Sequence, residues 1–150
     1  MKLQSDLKEF IGLLSSHSVE FLVVGGHAVA YHGYPRYTGD IDLLVRPSAS
    51  NAERLMAALD QFGLGAVGLS AEVFTRSDQI VQLGRPPNRI DLLTRITAVS
   101  FEEAWAGSIE ADMDGVAVRI IGRAELLKNK RSTNRAKDLA DAEELEKVRQ

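Results

Sequence analysis

Two aspartates one residue apart, Asp40 and Asp42, head the apolar run "DIDLLV" over residues 40–45. On a strand, alternate residues share a face, so both carboxylates point one way while Ile41 and Leu43 point the other. Like charges so placed repel and raise each other's pKa unless water or bound cations offset them. Mg2+ takes oxygen ligands and is commonly held by one or two carboxylates together with substrate phosphates. A third acid, Asp91, sits inside the apolar run "RIDLL", residues 89–93, where burial is costly unless the charge is paired or coordinated. If the two strands are neighbours, the three carboxylates form a cluster able to hold two metal ions for in-line phosphoryl-type transfer. Plainer readings stand beside this one. Asp40 is then a turn residue after Gly39, Asp42 an edge-strand surface residue, and Asp91 an ion-pair partner of Arg89 or Arg95.

Upstream, "VEFLVVGG" ends an apolar run on Gly25 and Gly26. Glycine where a strand hands over to a helix lets the backbone approach a ligand and adopt positive φ. The first N–H groups of the new helix then offer an anion site. The alternative is a tight turn with no ligand. In the loop before Asp40, Arg36 and Thr38 are placed to reach a phosphate, and arginine suits bidentate phosphate contacts. Otherwise Arg36 is an ordinary surface residue. Between 123 and 137 the chain carries Arg123, Lys128, Lys130, Arg131, Arg135 and Lys137. This is either a solvated helix face or a basic border to the acidic cleft, with Lys128 and Lys137 the candidates to offset triphosphate charge. Asp138 and Asp141 read as acids complementing the last helix's dipole. His17, His27 and His32 lack the spacing of a zinc set; His27 either stands near the phosphates or is a packed or solvent-facing histidine.

The elements that must position these residues follow from periodicity and punctuation. "SDLKEFIGLLSSH" has Leu7, Phe10, Ile11 and Leu14 at helical spacing, with Ser5 or Asp6 as N-cap. A strand is expected over Val19–Val24, a short helix over "HAVAYHG", a strand over "DIDLLVRP", and a capped amphipathic helix ending at Gly63. Between 64 and 88, "EVFTRSD" and "QIVQLGRP" read as two strands about a turn at Ser77 and Asp78. "NRIDLLTRI" is a further strand. "SFEEAWAG" is a helix with a Ser100–Glu103 capping box, "GVAVRIIG" a strand, and "RAELLKNKR" and "AKDLADAEELEKV" helices. This alternation predicts an α/β (α+β) fold, a small mixed sheet flanked by helices.

The 150-residue length predicts a single domain over 1–150, with 123–150 its C-terminal helical segment. A 45% hydrophobic and 26% charged composition is that of a globular protein, and the net charge of −3 gives no overall pull toward nucleic acid. With no cysteine, disulfides and thiolate zinc sites are excluded. "MKLQSDLKEF" has no secretory h-region and no run approaches membrane-helix length, so a cytoplasmic location with no membrane partner is expected.

"VGG", thirteen residues, then "DIDLLV" resembles the signature of the nucleotidyltransferase superfamily that includes DNA polymerase beta and the small antibiotic-modifying nucleotidyltransferases. The match spans roughly residues 19–94. "LLKNKRSTNRAKDLADAEEL" also resembles the tail of small bacterial members related to lincosamide nucleotidyltransferases and AbiEii-type toxins. The resemblance implies a nucleotidyltransferase-like fold and transfer of a nucleoside monophosphate from an NTP to a hydroxyl, with Mg2+ (two ions) and release of pyrophosphate. It implies Asp40 and Asp42 as metal ligands, Asp91 as third ligand or general base, and Gly25 and Gly26 as triphosphate contacts. Where many members place a serine, this chain has His27. The acceptor is open between a small molecule, a protein and tRNA, and some relatives build the acceptor site across a homodimer. Two other readings are a nucleotide-binding relative that has lost catalysis and a toxin–antitoxin component.

Overall fold

The computed structural model describes residues 4–63 and 68–148. Helix α1, Ser5–Ser16, buries Leu7, Phe10, Ile11 and Leu14, the stripe its periodicity predicts. Its N-cap is Gln4, without a side-chain cap bond, rather than Ser5 or Asp6, which lie within the first turn. Strand β1 covers Phe21–Val24. It starts two residues later than expected because the Val19 N–H still closes α1 on the Leu14 carbonyl at 2.9 Å, beyond Ser18 at φ 58°. Helix α2, Gly25–Tyr31, follows without a loop, and strand β2 covers Asp40–Val45. Helix α3, Ala49–Phe62, is capped by the Ser48 side chain and closed by Gly63 in the left-handed region.

The expected strand "EVFTRSD" is instead a 3-10 helix over Ala71–Thr75. Its β-branched composition is overridden by burial of Phe74 and by the Thr75 hydroxyl, which donates to the Glu72 carbonyl. Residues 64–67, the start of the 64–88 stretch, lie outside the described residues. Strand β3 then covers Ile80–Leu83 and β4 Arg89–Leu93. Helix α4, Phe101–Ala106, carries the Ser100 cap on the Glu103 N–H. A hairpin follows: β5, Ile109–Met113, unexpected from the sequence reading, and β6, Val116–Ile120. Its turn has Asp114 and Gly115 at φ 55° and 84°, the positive values a two-residue hairpin demands. Helices α5, Arg123–Ser132, and α6, Ala136–Glu146, complete the chain.

The strands form one mixed sheet in the order β3-β4-β2-β1-β6-β5. Strand β2 pairs antiparallel with β1 and parallel with β4, in the register Asp40↔Arg89, Ile41↔Ile90 and Asp42↔Asp91. Period-two alternation therefore splits these strands between two environments. Ile41, Leu43, Ile90 and Leu92 join the core with Phe10, Ile11 and Leu14 of α1 and Leu55 and Leu59 of α3, while Asp40, Asp42, Arg89 and Asp91 share the other face. Among the described residues no helix is long and apolar enough to cross a membrane. Because Ile41 is fully buried directly behind the acids, Ile41→Ala should lower stability by about 2–5 kcal/mol. Urea unfolding checks this; a shift under about 0.5 kcal/mol, typical of surface substitutions, would contradict the packing described.

Candidate active site

Oxygen atoms of Asp40, Asp42 and Asp91 lie within 4.8 Å of one another. The register of β2 against β4 brings them together. Gly25 makes the third wall. It sits at φ 65°, and a Cβ there would lie 2.0 Å from Asp42 Oδ2, so a side chain at Gly25 and the carboxylate cannot share that space. At Gly26 a Cβ would lie 3.1 Å from Thr38 Oγ1 and 3.3 Å from an Arg36 guanidinium nitrogen. The two glycines thus let the Asp42 carboxylate and the Arg36–Thr38 loop close onto the start of α2. The acids, Gly26, Arg36, Thr38, Lys130 and Lys137 line one cleft of about 400 Å3. An adjoining cavity of about 470 Å3 shares Asp42, Ile80, Leu93, Lys130 and Arg135 with this cleft and is further bounded by Gly25, Arg95, Ile96, Thr97 and Asn129.

Charge governs the geometry of the acids. Arg89 donates from Nη2 to Asp40 Oδ2 at 2.6 Å, from Nε to Asp91 Oδ1 at 2.9 Å and from Nη2 to Asp91 Oδ2 at 3.1 Å. The Thr38 hydroxyl reaches Asp40 Oδ1 at 3.0 Å and the Asp40 carbonyl at 2.9 Å. Burial works to raise the Asp40 pKa, but hydrogen bonds involving Asp91, Thr38 and Arg89 prevail and hold it below the ordinary value. At Asp91, burial and the neighbouring Asp40 outweigh Arg89, and its pKa is raised. Asp42 has no such arginine. Burial, the charges of Asp40 and Asp91 and a hydrogen bond with Asp91 push it to about 7, with Lys130 pulling the other way. Two ligand oxygens on opposite sides of Mg2+ stand about 4.2 Å apart, given Mg–O distances near 2.1 Å. The acid cluster fits such an ion by spacing and by its hard oxygen donors, with three carboxylates against the one guanidinium of Arg89.

The remaining sequence candidates fare differently. Arg36 lines the cleft, but its fork is engaged by Asp141, Nε to Oδ1 at 2.9 Å and Nη2 to Oδ2 at 2.8 Å. The Thr38 hydroxyl is likewise given to Asp40 and so orients that carboxylate. Lys137 borders the cleft, whereas Lys128 does not: its Nζ pairs with Glu103 at 2.9 Å on the surface. His27 is buried and does not line the cleft. Burial lowers its pKa, against the nearby Asp40 charge and a hydrogen bond to the Asp40 backbone, and its Nδ1 has no partner. It is thus placed against the start of β2, outside the cleft lining. His32 is a core histidine, its Nε2 at 2.8 Å from the Ile121 carbonyl.

Four residues take parts at the site that the sequence reading did not assign to them. Lys130 is buried, its Nζ 2.8 Å from Asp138 and 3.2 Å from Asp141. Asp138 and Asp141, expected only to complement a helix dipole, are buried ion-pair partners of Lys130, Arg135 and Arg36. The signal was helical spacing: Leu126, Leu127 and Lys130 are the buried stripe of α5, and Asp138, Asp141, Ala142 and Leu145 that of α6. Arg89 was considered only as a plain partner of Asp91, though its position two residues before Asp91 places both on one face.

No known protein family and no curated protein matches this chain. Among solved structures it is similar to the aminoglycoside nucleotidyltransferase ANT(2")-Ia in complex with adenylyl-2"-tobramycin. The likeness has a TM-score of 0.56 at 13% identity, over 93% of this chain and 84% of that one. The fold is thus nucleotidyltransferase-like.

The raised Asp42 pKa has a consequence for stability. An aspartate at 3.8 when unfolded and about 7 when folded keeps its proton only in the native state across that window. The contribution of Asp42 to folded stability therefore falls as pH rises from about 4 to about 7. In EDTA, Asp42→Asn should show a shallower fall over this range and exceed the parent in melting temperature at pH 8. Superimposable pH–stability profiles would contradict the assignment.

Proposed function

We propose that this chain is a Mg2+-dependent nucleotidyltransferase that moves a nucleoside monophosphate from an NTP to a hydroxyl acceptor and releases pyrophosphate. The observation that carries this reading is the convergence of Asp40, Asp42 and Asp91 against Gly25, within a fold of that type. In the reaction the acceptor oxygen forms a bond to the α-phosphorus, the bond to the β-phosphate bridging oxygen breaks, and pyrophosphate departs with that electron pair. Divalent ions at the three carboxylates would supply a lowered acceptor pKa and charge neutralisation of the departing pyrophosphate.

The chain's own residues have distinct parts. Asp40 and Asp42 hold the metal, and Asp91 is the third ligand or takes the acceptor proton. Thr38 fixes Asp40. Gly25 and Gly26 open the backbone to the triphosphate, with Lys130 and Lys137 as the nearby positive charges. Arg36 ties this loop to α6 through Asp141. The two cavities adjoin along Asp42, Ile80, Leu93, Lys130 and Arg135, which leaves room for nucleotide and acceptor to be held next to one another at Asp42. ANT(2")-Ia was captured with adenylylated tobramycin. Here the acceptor is a hydroxyl of a small molecule, a protein or tRNA, and an acceptor site completed by a second copy belongs to the same proposal. The nearer affinity with lincosamide nucleotidyltransferases and AbiEii-type toxins rests on the C-terminal sequence.

A second reading, a nucleotide-binding relative without turnover, is favoured by Arg89 standing across Asp40 and Asp91. Pyrophosphate release separates the two. With labelled NTPs and Mg2+, screened against small alcohols, tRNA and proteins, the parent should release pyrophosphate. Asp40→Asn, Asp42→Asn and Asp91→Asn should each lower the rate by on the order of 10²-fold or more, the scale of losing one transition-state stabiliser, while circular dichroism stays unchanged. NTP binding without pyrophosphate release would select the second reading, and full activity in the three variants would refute the first.

A further inference from the structure

Within the acid cluster, Arg89 engages three of the six carboxylate oxygens: Asp40 Oδ2, Asp91 Oδ1 and Asp91 Oδ2. Thr38 takes a fourth, Asp40 Oδ1. A divalent ion would draw on the lone pairs and charge of the same carboxylates, so the guanidinium and the ion compete for the Asp40–Asp91 pair. Arginine cannot clear the site by losing its proton, since it stays charged at any working pH. It must swing away. Its side chain is 30% exposed, so it can leave without unpacking the core.

We infer that Arg89 is a resident counter-cation that holds the three carboxylates together before metal loading and is exchanged for the incoming ion. This rests on the reading of the acids as a metal site. The parallel register that sets Arg89 directly opposite Asp40 gives β4 both a ligand, Asp91, and that ligand's competitor two residues earlier. Two effects follow. The cluster assembles without metal, because one delocalised charge relieves repulsion among three acids. Metal affinity of the unliganded chain is correspondingly weakened, because binding has to displace charge-assisted hydrogen bonds. Once displaced, the guanidinium remains in the same cleft as Gly26, Lys130 and Lys137, where an anionic ligand can draw it off the acids. By linkage, any ligand that does so tightens metal binding by the same factor by which metal tightens that ligand.

The test is Mn2+ binding to the full chain without nucleotide, read by the loss of free-ion EPR signal. Arg89→Ala should bind Mn2+ about 10-fold tighter than the parent or more, on the scale of removing a charged hydrogen-bonded competitor. Millimolar guanidinium chloride should restore the weaker binding in Arg89→Ala and leave the parent unchanged, an effect that a merely structural role would not produce. Arg89→Lys, which keeps the charge but not the fork, should fall between the two and serves in place of the alanine variant should that one not fold. Equal or weaker Mn2+ binding in both variants, with the parent binding measurably, overturns the role of Arg89 and leaves the metal site standing. Absence of Mn2+ binding in the parent and in both variants overturns the metal site itself and this inference with it.

Discussion

Parallel pairing of β2 with β4, in the register that sets Asp42 beside Asp91, forces three carboxylates onto one patch of one sheet face. Much of the nearby structure answers the resulting repulsion. Arg89 forks across Asp40 and Asp91, Thr38 caps the free oxygen of Asp40, and Lys130 is the positive charge that acts on Asp42. Asp42 itself is accommodated only because residue 25 has no side chain. The glycine pair and the aspartate pair, far apart in the loop that joins them, are therefore one steric unit. Each fixes what the other position can be.

The C-terminal helices extend this arrangement. A buried positive charge near the acids needs its own compensation, and Lys130 finds it in Asp138 and Asp141, which also engage Arg135 and Arg36. One ionic network thus runs from α6 through α5 to the loop before β2. Removing one partner of such a network leaves an uncompensated buried charge, so the helices anchor the loop as well as border the cleft. This gives 123–148 a part in the site that a solvated charge run would not have.

The mixed sheet, the helix boundaries marked by Ser48, Gly63 and Ser100, and the three acids were legible because period-two alternation and capping chemistry act locally. What the sequence did not yield was long-range or depended on competing local preferences. Strand β5 is an edge strand with three of its five residues exposed, and it was missed although Asp114–Gly115 marks its turn. The segment 71–75 carries strand-like residues, yet burying Phe74 set a 3-10 turn instead. His27 and Lys128 were each weighed as a phosphate contact against a plainer reading, a packed histidine and a solvated helix face. The packing turns one into the core, and Glu103 holds the other at the surface. Asp91 had been weighed as either a cluster member or a partner of Arg89, and the structure makes it both. A static charge pair and a prospective metal site occupy the same oxygens, so no choice from residue types alone could have separated them.

The central claim is that these three carboxylates are a metal centre from which Arg89 withdraws on loading. Anomalous diffraction at the manganese edge, from crystals grown with Mn2+ and an α,β-methylene NTP analogue, tests it most directly. The expected result is an anomalous peak within coordination distance of Asp40, Asp42 and Asp91, with the Arg89 guanidinium no longer bridging Asp40 and Asp91. Analogue bound in the cleft with no peak at the acids, and Arg89 still forked across them, would contradict it.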